Sequence, residues 1–409
     1  MTEGKRCLPT LSAIPFTLFA AGSFLVFTNF YIASTILPLY IVQLGGTEFD
    51  IGLQTISFYL TSILCRLFYF GPLTDQKGRK IPLLIGSFVF CTSALLFWLS
   101  KSVNFLLIAR IYQAIGLAAF FSCAATLAAD FAPPGRVGLF MGLYRLIFTI
   151  ALLIGPAMGL EIVYRVDYEQ LFLFCFITGL LALVFILFIK PPKEISSNVS
   201  SNEGNIVQTY IKLISCKKLH PIFSGYALIT AGYGIIVTYV VLYITRVTHY
   251  NNPGIYFTYF CLAGIASSLT AGYFSDRTDR QNIAWPSVIL LGLGIMSLFF
   301  IDSLPITLII SGLATGIGFS AGAAVFMAWI IDETEEGIKG TVLSLQESIF
   351  DLFFGLGSFF FGLITGYIKM GWSFILVGAF IFVIAGMFFV RSRLFCHPSS
   401  KTREGSRII

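Results

Sequence analysis

The chain has 409 residues and a net charge of +6, with 57% hydrophobic residues, 11% charged ones and 43 phenylalanines. A water-soluble domain carries about a quarter charged residues, so this composition excludes that class and describes a chain that crosses a membrane many times. The eight cysteines are scattered without metal-site or disulfide-framework spacing, and His220, His249 and His397 all lie away from the middle of the apolar runs.

A helix needs about 20 apolar residues to cross the hydrocarbon core. Twelve runs qualify, near residues 14–41, 51–71, 81–100, 103–129, 138–161, 170–190, 221–246, 254–274, 283–301, 305–331, 340–366 and 373–391. Their length excludes a β-barrel, whose strands alternate over about ten residues. The first run is too long for a cleaved signal peptide and contains Asn29 and Pro38. The expected fold is therefore all-α, twelve membrane helices in two pseudo-symmetric bundles of six. Residues 1–190 form the first bundle, 191–220 a cytoplasmic linker, 221–392 the second bundle, and 393–409 a polar, disordered tail. The linker is Ser/Asn-rich, with a short amphipathic piece near residues 210–219.

Orientation follows from the basic residues. With both termini cytoplasmic, 19 of the 26 Lys and Arg fall inside. Only Lys101, Arg165, Arg246 and Lys369 fall outside, and Arg66, Arg110 and Arg145 lie within spans. The positive charge thus reflects topology in the cytoplasmic (inner) membrane and gives no reason to invoke nucleic acid.

Between spans 2 and 3 lies Gly71-Pro72-Leu73-Thr74-Asp75-Gln76-Lys77-Gly78-Arg79-Lys80, and Gly71, Asp75 and Arg79 recur as Gly272, Asp276 and Arg280 at one offset of 201. Asp130 and Asp332 close spans 4 and 10 at an offset of 202. Gly71 and Gly78 are expected to permit a tight reversal. Asp75 is expected to face a helix N-terminus. Arg79 is expected to pair with Asp130 and Arg280 with Asp332, latching the cytoplasmic side. The plain alternative is a solvated basic turn.

Gly142, Gly155, Pro156 and Gly159 mark span 5, where proline breaks the helix or, on the plainer reading, kinks a structural one, and the glycines admit close packing. Span 11 carries Gln346, Glu347 and Asp351, the two acids four residues apart and so on one face. Intramembrane ionisable groups are functional candidates by default, which singles out Arg66, Arg110, Arg145, Glu347 and Asp351. Arg145 stands at the repeat equivalent of Glu347. The structural alternatives are an arginine snorkelling to the outer interface or tied to backbone carbonyls, for Arg110, and a permanently paired network for the rest. Asn29, Tyr31, Gln113, Tyr233 and Tyr239 are the candidate cavity residues, and the chain's many aromatics and few buried charges point to an amphipathic or lipophilic substrate.

These features together resemble the major facilitator superfamily, in its twelve-span drug- or metabolite–proton antiporter branch. Arg110-Ile111-Tyr112-Gln113-Ala114-Ile115-Gly116 is similar to that family's Arg-x-x-Gln-Gly-x-Gly, with Ala114 for glycine. The span 5 spacing is similar to its antiporter motif, with Ala151 and Leu160 replacing two glycines. The resemblance implies a secondary transporter working by alternating access, without a cofactor, metal or catalytic residue, and acting as a monomer on a small molecule with protons as the coupling ion. It implies export, a role for Arg110 in tuning a carboxylate or binding substrate, and a state-dependent pairing of Glu347 with Arg66. An importer or exchanger of nutrients or metabolites, or a non-transporting membrane sensor, remains as the alternative. An enzyme is disfavoured, because no Ser–His, HExxH or P-loop pattern occurs.

Overall fold

A computed structural model describes residues 13–71, 73–74, 78–133, 136–189, 213, 215–216, 218–248, 252–334 and 339–395. Among these, twelve helices are long and apolar enough to cross a membrane. They are α1 (Ala13–Gln43), α2 (Glu48–Cys65), α3 (Lys80–Leu99), α4 (Val103–Asp130), α5 (Val137–Arg165) and α6 (Tyr168–Leu187). The second set is α7 (His220–Val247), α8 (Ile255–Ser275), α9 (Gln281–Ser297), α10 (Ile306–Asp332), α11 (Lys339–Thr365) and α12 (Met370–Phe395). A π-helical turn, Arg66–Phe70, continues α2, and a 3-10 turn, Leu298–Phe300, continues α9. The all-helical outcome follows from lipid, where each backbone polar group must find its partner within the segment.

Residues 1–33 and 61–197 make one compact unit and residues 34–60 and 198–409 the other. In the first, α3 packs on α4 and α6. A Cβ on Gly179 would stand 2.8 Å from the Cα of Cys91, so only glycine allows α6 that close to α3. In the second, α10 packs on α8 and α9, α9 on α12, and α11 on α7. Many span hydroxyls are satisfied along their own helices, as when Ser87 donates to the Leu83 carbonyl at 2.9 Å and Thr230 to that of Tyr226 at 2.9 Å.

Two sequence expectations are corrected here. The helix α5 runs through Pro156 as one element, because the loss of one backbone bond is absorbed within a 29-residue helix. The helix α12 extends to Phe395, four residues past the last apolar run, and its final turn is basic, which the negative C-terminal end of a helix favours. The linker lies mostly, and the tail beyond 395 entirely, outside the described residues.

Candidate functional site

The motif loop of the first unit is organised by two cations. Arg79 forms an ion pair with Asp130, and its Nη1 also lies 3.4 Å from the Thr126 carbonyl near the end of α4. Lys80 donates to the Leu187 carbonyl, 3.1 Å away, where the last carbonyls of α6 lack helical partners. Gly78 has φ +74°, a left-handed conformation that glycine alone adopts cheaply. Gly71 does not take part in the reversal: with φ −58° it closes the π-helical turn in ordinary helical geometry. Asp75 lies outside the described residues.

In the second unit Arg280 is held more fully. Its Nε lies 3.0 Å from Asp332 Oδ2, and its Nη1 lies 2.9 Å from Asp276 Oδ1 and donates to Ser275 Oγ at 2.6 Å. A Cβ on Gly272 would meet nothing within 4 Å, so no close approach explains that residue. Next to Asp332, Glu333 pairs with Lys218 at 2.8 Å. Both arginine pairs join a loop to a helix end within one unit.

The intramembrane charges separate by burial. Arg110 is 1% exposed and donates to Gln113, one turn along α4 and itself 2% exposed. That burial rules out a guanidinium snorkelling to the outer interface. Asp351 is 5% exposed, whereas Glu347, one turn earlier on α11, is exposed. Arg66 is half-buried in the π-helical turn and Arg145 is exposed on α5.

All five cavity candidates are buried, and Asn29 and Tyr239, like Gln113, are hydrogen-bonded to neighbours. The Asn29 amide donates to the Cys175 carbonyl at 3.0 Å and accepts from Thr178 Oγ1 at 3.0 Å, tying α1 to α6. The Tyr239 hydroxyl lies 3.0 Å from the carbonyls of both Glu48 and Ser358. Tyr31 packs edge-on against Phe148 at 5.0 Å. Tyr233 stacks on Phe319 with centroids 4.0 Å apart and meets Phe354 edge-on. Gly155, Pro156 and Gly159 are buried, and a Cβ on Gly155 would stand 3.2 Å from the Thr28 carbonyl of α1. Gly142 is exposed and its Cβ position is empty within 4 Å, so it does not serve close packing.

Two features escape the sequence reading. Glu48, the first residue of α2, pairs with Arg246 in the last turn of α7. Thr47 and Asp50 cap the start of α2 reciprocally, at 2.7 Å and 3.4 Å. Glu48 is acidic in an N-terminal first turn and Arg246 basic in a last turn, a legible signal that weighed little beside the motif loops. The amide oxygens of Gln54 and Gln346 are buried without a hydrogen-bond partner among the described residues, and no pattern in sequence distinguishes such a glutamine from a paired one.

Comparison with known proteins agrees with this architecture. Residues 19–256 and 222–407 match the model of the Major Facilitator Superfamily. The quinolone resistance protein NorA of Staphylococcus aureus is 27% identical over 172 residues, 42% of this chain and 44% of that protein. An uncharacterized MFS-type transporter of Methanocaldococcus jannaschii is 31% identical over 149 residues, 36% of this chain and 38% of that one. The matches thus span less than half the length of these relatives. Among solved structures, the nucleoside transporter NupG (D323A mutant) superposes with a TM-score of 0.81 at 14% identity, over 92% of this chain and 99% of its own. A D-xylose-proton symporter superposes with a TM-score of 0.73 at 14% identity, over 92% and 97%. With the family model spanning nearly the whole sequence, this chain belongs to the major facilitator superfamily of membrane transporters.

Proposed function

We propose that the chain is a proton-coupled exporter, carrying an amphipathic small molecule out across the cytoplasmic membrane by alternating access. It works as a monomer, with residues 1–190 and 221–392 as the two halves and both termini and residues 191–220 in the cytoplasm. The observation that carries this reading is the repeated arginine–aspartate cluster, Arg79 with Asp130 and Arg280 with Asp332. Each pair ties the arginine of a motif to a helix end of its own unit, so the same contact is built twice in the chain. The likeness to a protein named for quinolone resistance supports export of an amphipathic compound.

Coupling is assigned to α11. Asp351 is buried in a span, where carrying a charge is costly unless a partner or water is at hand. Its protonation therefore changes with the surroundings that each state of the cycle provides. Glu347, one turn away, supplies the exposed carboxylate, with Arg66 as its state-dependent partner and Arg145 as the alternative. Arg110 and Gln113 form the buried polar centre of the first half, and Tyr31 and Tyr233, buried in this structure, are the aromatic residues a substrate would meet in an opened state.

Proteoliposomes loaded with a fluorescent quinolone, under an imposed pH gradient, test the proposal. Uphill movement is expected in the wild type and is lost in Asp351→Asn or Glu347→Gln, with downhill exchange retained. Wild-type uphill transport in both variants overturns the coupling, and gradient-driven movement toward the cytoplasmic side overturns export.

A further inference from the structure

The second unit contains a recess that this transport reading leaves unused. The helices α8 and α9 both pack on α10 but scarcely touch each other. Between them lies a cleft of about 360 Å³, floored by Ile317 and Ala321 of α10 and walled by Thr270 and Ala271 of α8 and Ser287 of α9. Ala271, Ser287 and Ala321 leave the room, between larger lining residues that include Phe274, Ile283, Leu290 and Ile317.

The surrounding surface identifies the medium. Leu269 is 72% exposed, Phe274 55%, Leu293 44% and Leu313 38%, all on helices long enough to span a bilayer. A face this apolar on spanning helices meets hydrocarbon. The cleft hydroxyls do not alter that character. Ser267 donates to the Gly264 carbonyl at 3.1 Å, Thr270 to that of Ala266 at 3.0 Å and Ser287 to that of Ile283 at 2.7 Å, so all three are spent on their own helices.

One end of the cleft is polar. Asn282, in the first turn of α9, lines it and is exposed. Just past α8, Arg277 holds its guanidinium 3.8 Å over the Tyr273 ring and has no ion-pair partner among the described residues. Arg280 is committed to Asp332, Asp276 and Ser275. The first turn of α9 contains no acid, and of the nearby acids Asp276 is engaged by Arg280 while Asp279 is exposed. The balance favours one anionic group beside Arg277 and not a polyanion.

We propose that this cleft is a phospholipid site, in which one acyl chain lies along Ile317 and Ala321 and an anionic headgroup rests against Arg277 and the Asn282 amide. The inference does not depend on which substrate the protein moves or on its coupling to protons.

The test uses the full chain in nanodiscs of equimolar phosphatidylglycerol and phosphatidylcholine, released into the gas phase for native mass spectrometry. Wild type should retain one phosphatidylglycerol in preference to phosphatidylcholine by about fivefold, the factor that one basic residue near the membrane surface supplies. Arg277→Gln should bring the preference to near parity without abolishing retention. Thr270→Trp, which fills the cleft from an exposed position, should remove the retained lipid, whereas Leu269→Trp on the same surface should not. Thermal unfolding of each variant checks that the fold is intact. No retained lipid in wild type, or undiminished retention in folded Thr270→Trp, overturns the site. Retention without headgroup preference in wild type overturns the anionic assignment.

Discussion

Replacing Arg280 by alanine removes three contacts of unequal kind. Its pairs with Asp332 and Asp276 involve carboxylates that are 46% and 70% exposed, although Arg280 itself is only 17% exposed. Solvent screening at such exposure leaves about 0.5 kcal/mol for each. The bond to Ser275, a buried residue, is charge-assisted and shielded, and contributes about 1 kcal/mol. Arg280→Ala should therefore destabilise the second bundle by roughly 2 kcal/mol, whereas Asp332→Ala, which leaves Arg280 with Asp276 and Ser275, should cost about 0.5 kcal/mol. A double-mutant cycle should then return a coupling energy of about 0.5 kcal/mol. Reversible unfolding in mixed micelles of increasing denaturing detergent provides the assay, with the Arg79/Asp130 cycle run in parallel. If Asp332→Ala proved as costly as Arg280→Ala, the tie between the loop and α10 would dominate, and the reasoning that Asp276 and Ser275 hold the arginine would be refuted.

Other consequences follow from particular contacts. Asn29→Leu should lower unfolding stability by about 1–2 kcal/mol while leaving substrate range unchanged, since its amide is engaged by α6; altered selectivity at unchanged stability would contradict this. Gln113→Leu should cost about 1.5–3 kcal/mol, because it strips a partner from a buried guanidinium, and Gln113→Glu should be better tolerated. The Glu48–Arg246 pair is partly exposed, so Glu48→Gln should cost no more than about 1 kcal/mol. That loss should shrink as salt is raised and be recovered in the charge-swapped double variant Glu48→Arg with Arg246→Glu, measured by unfolding at several ionic strengths.

The bundle itself was legible because length and hydropathy alone decide whether a segment spans, and because the repeat preserved Gly, Asp and Arg at one offset. The two arginine–aspartate pairs were legible for a related reason. They join residues whose depth is fixed by helix ends, so matching offsets place them on one side and in adjacent elements. Gly71 was misread because glycine is common inside membrane helices as well as in turns, and the neighbouring glycine, Gly78, takes the positive φ that the reversal needs.

Polar residues inside spans are the harder problem, and the difficulty is physical. In water an asparagine buried without ligand-binding purpose is unusual, but in lipid every polar group must be satisfied by another part of the chain. Asn29 and Tyr239 therefore look like cavity residues in sequence, yet one bonds α6 and the other the carbonyls of Glu48 and Ser358. Glu347 and Asp351 present the converse case. Helical spacing puts them on one face, but in a helix surrounded by apolar residues the spacing says nothing about what that face meets. One is exposed and the other 5% exposed, a difference set by the neighbouring helices. The same reasoning ranks the remaining candidates: a span residue whose polar atoms are all taken up by backbone is first a packing element. Asp351, a buried carboxylate, and Gln346, whose amide oxygen has no partner among the described residues, are where a change of protonation or of bound molecule has most to act on.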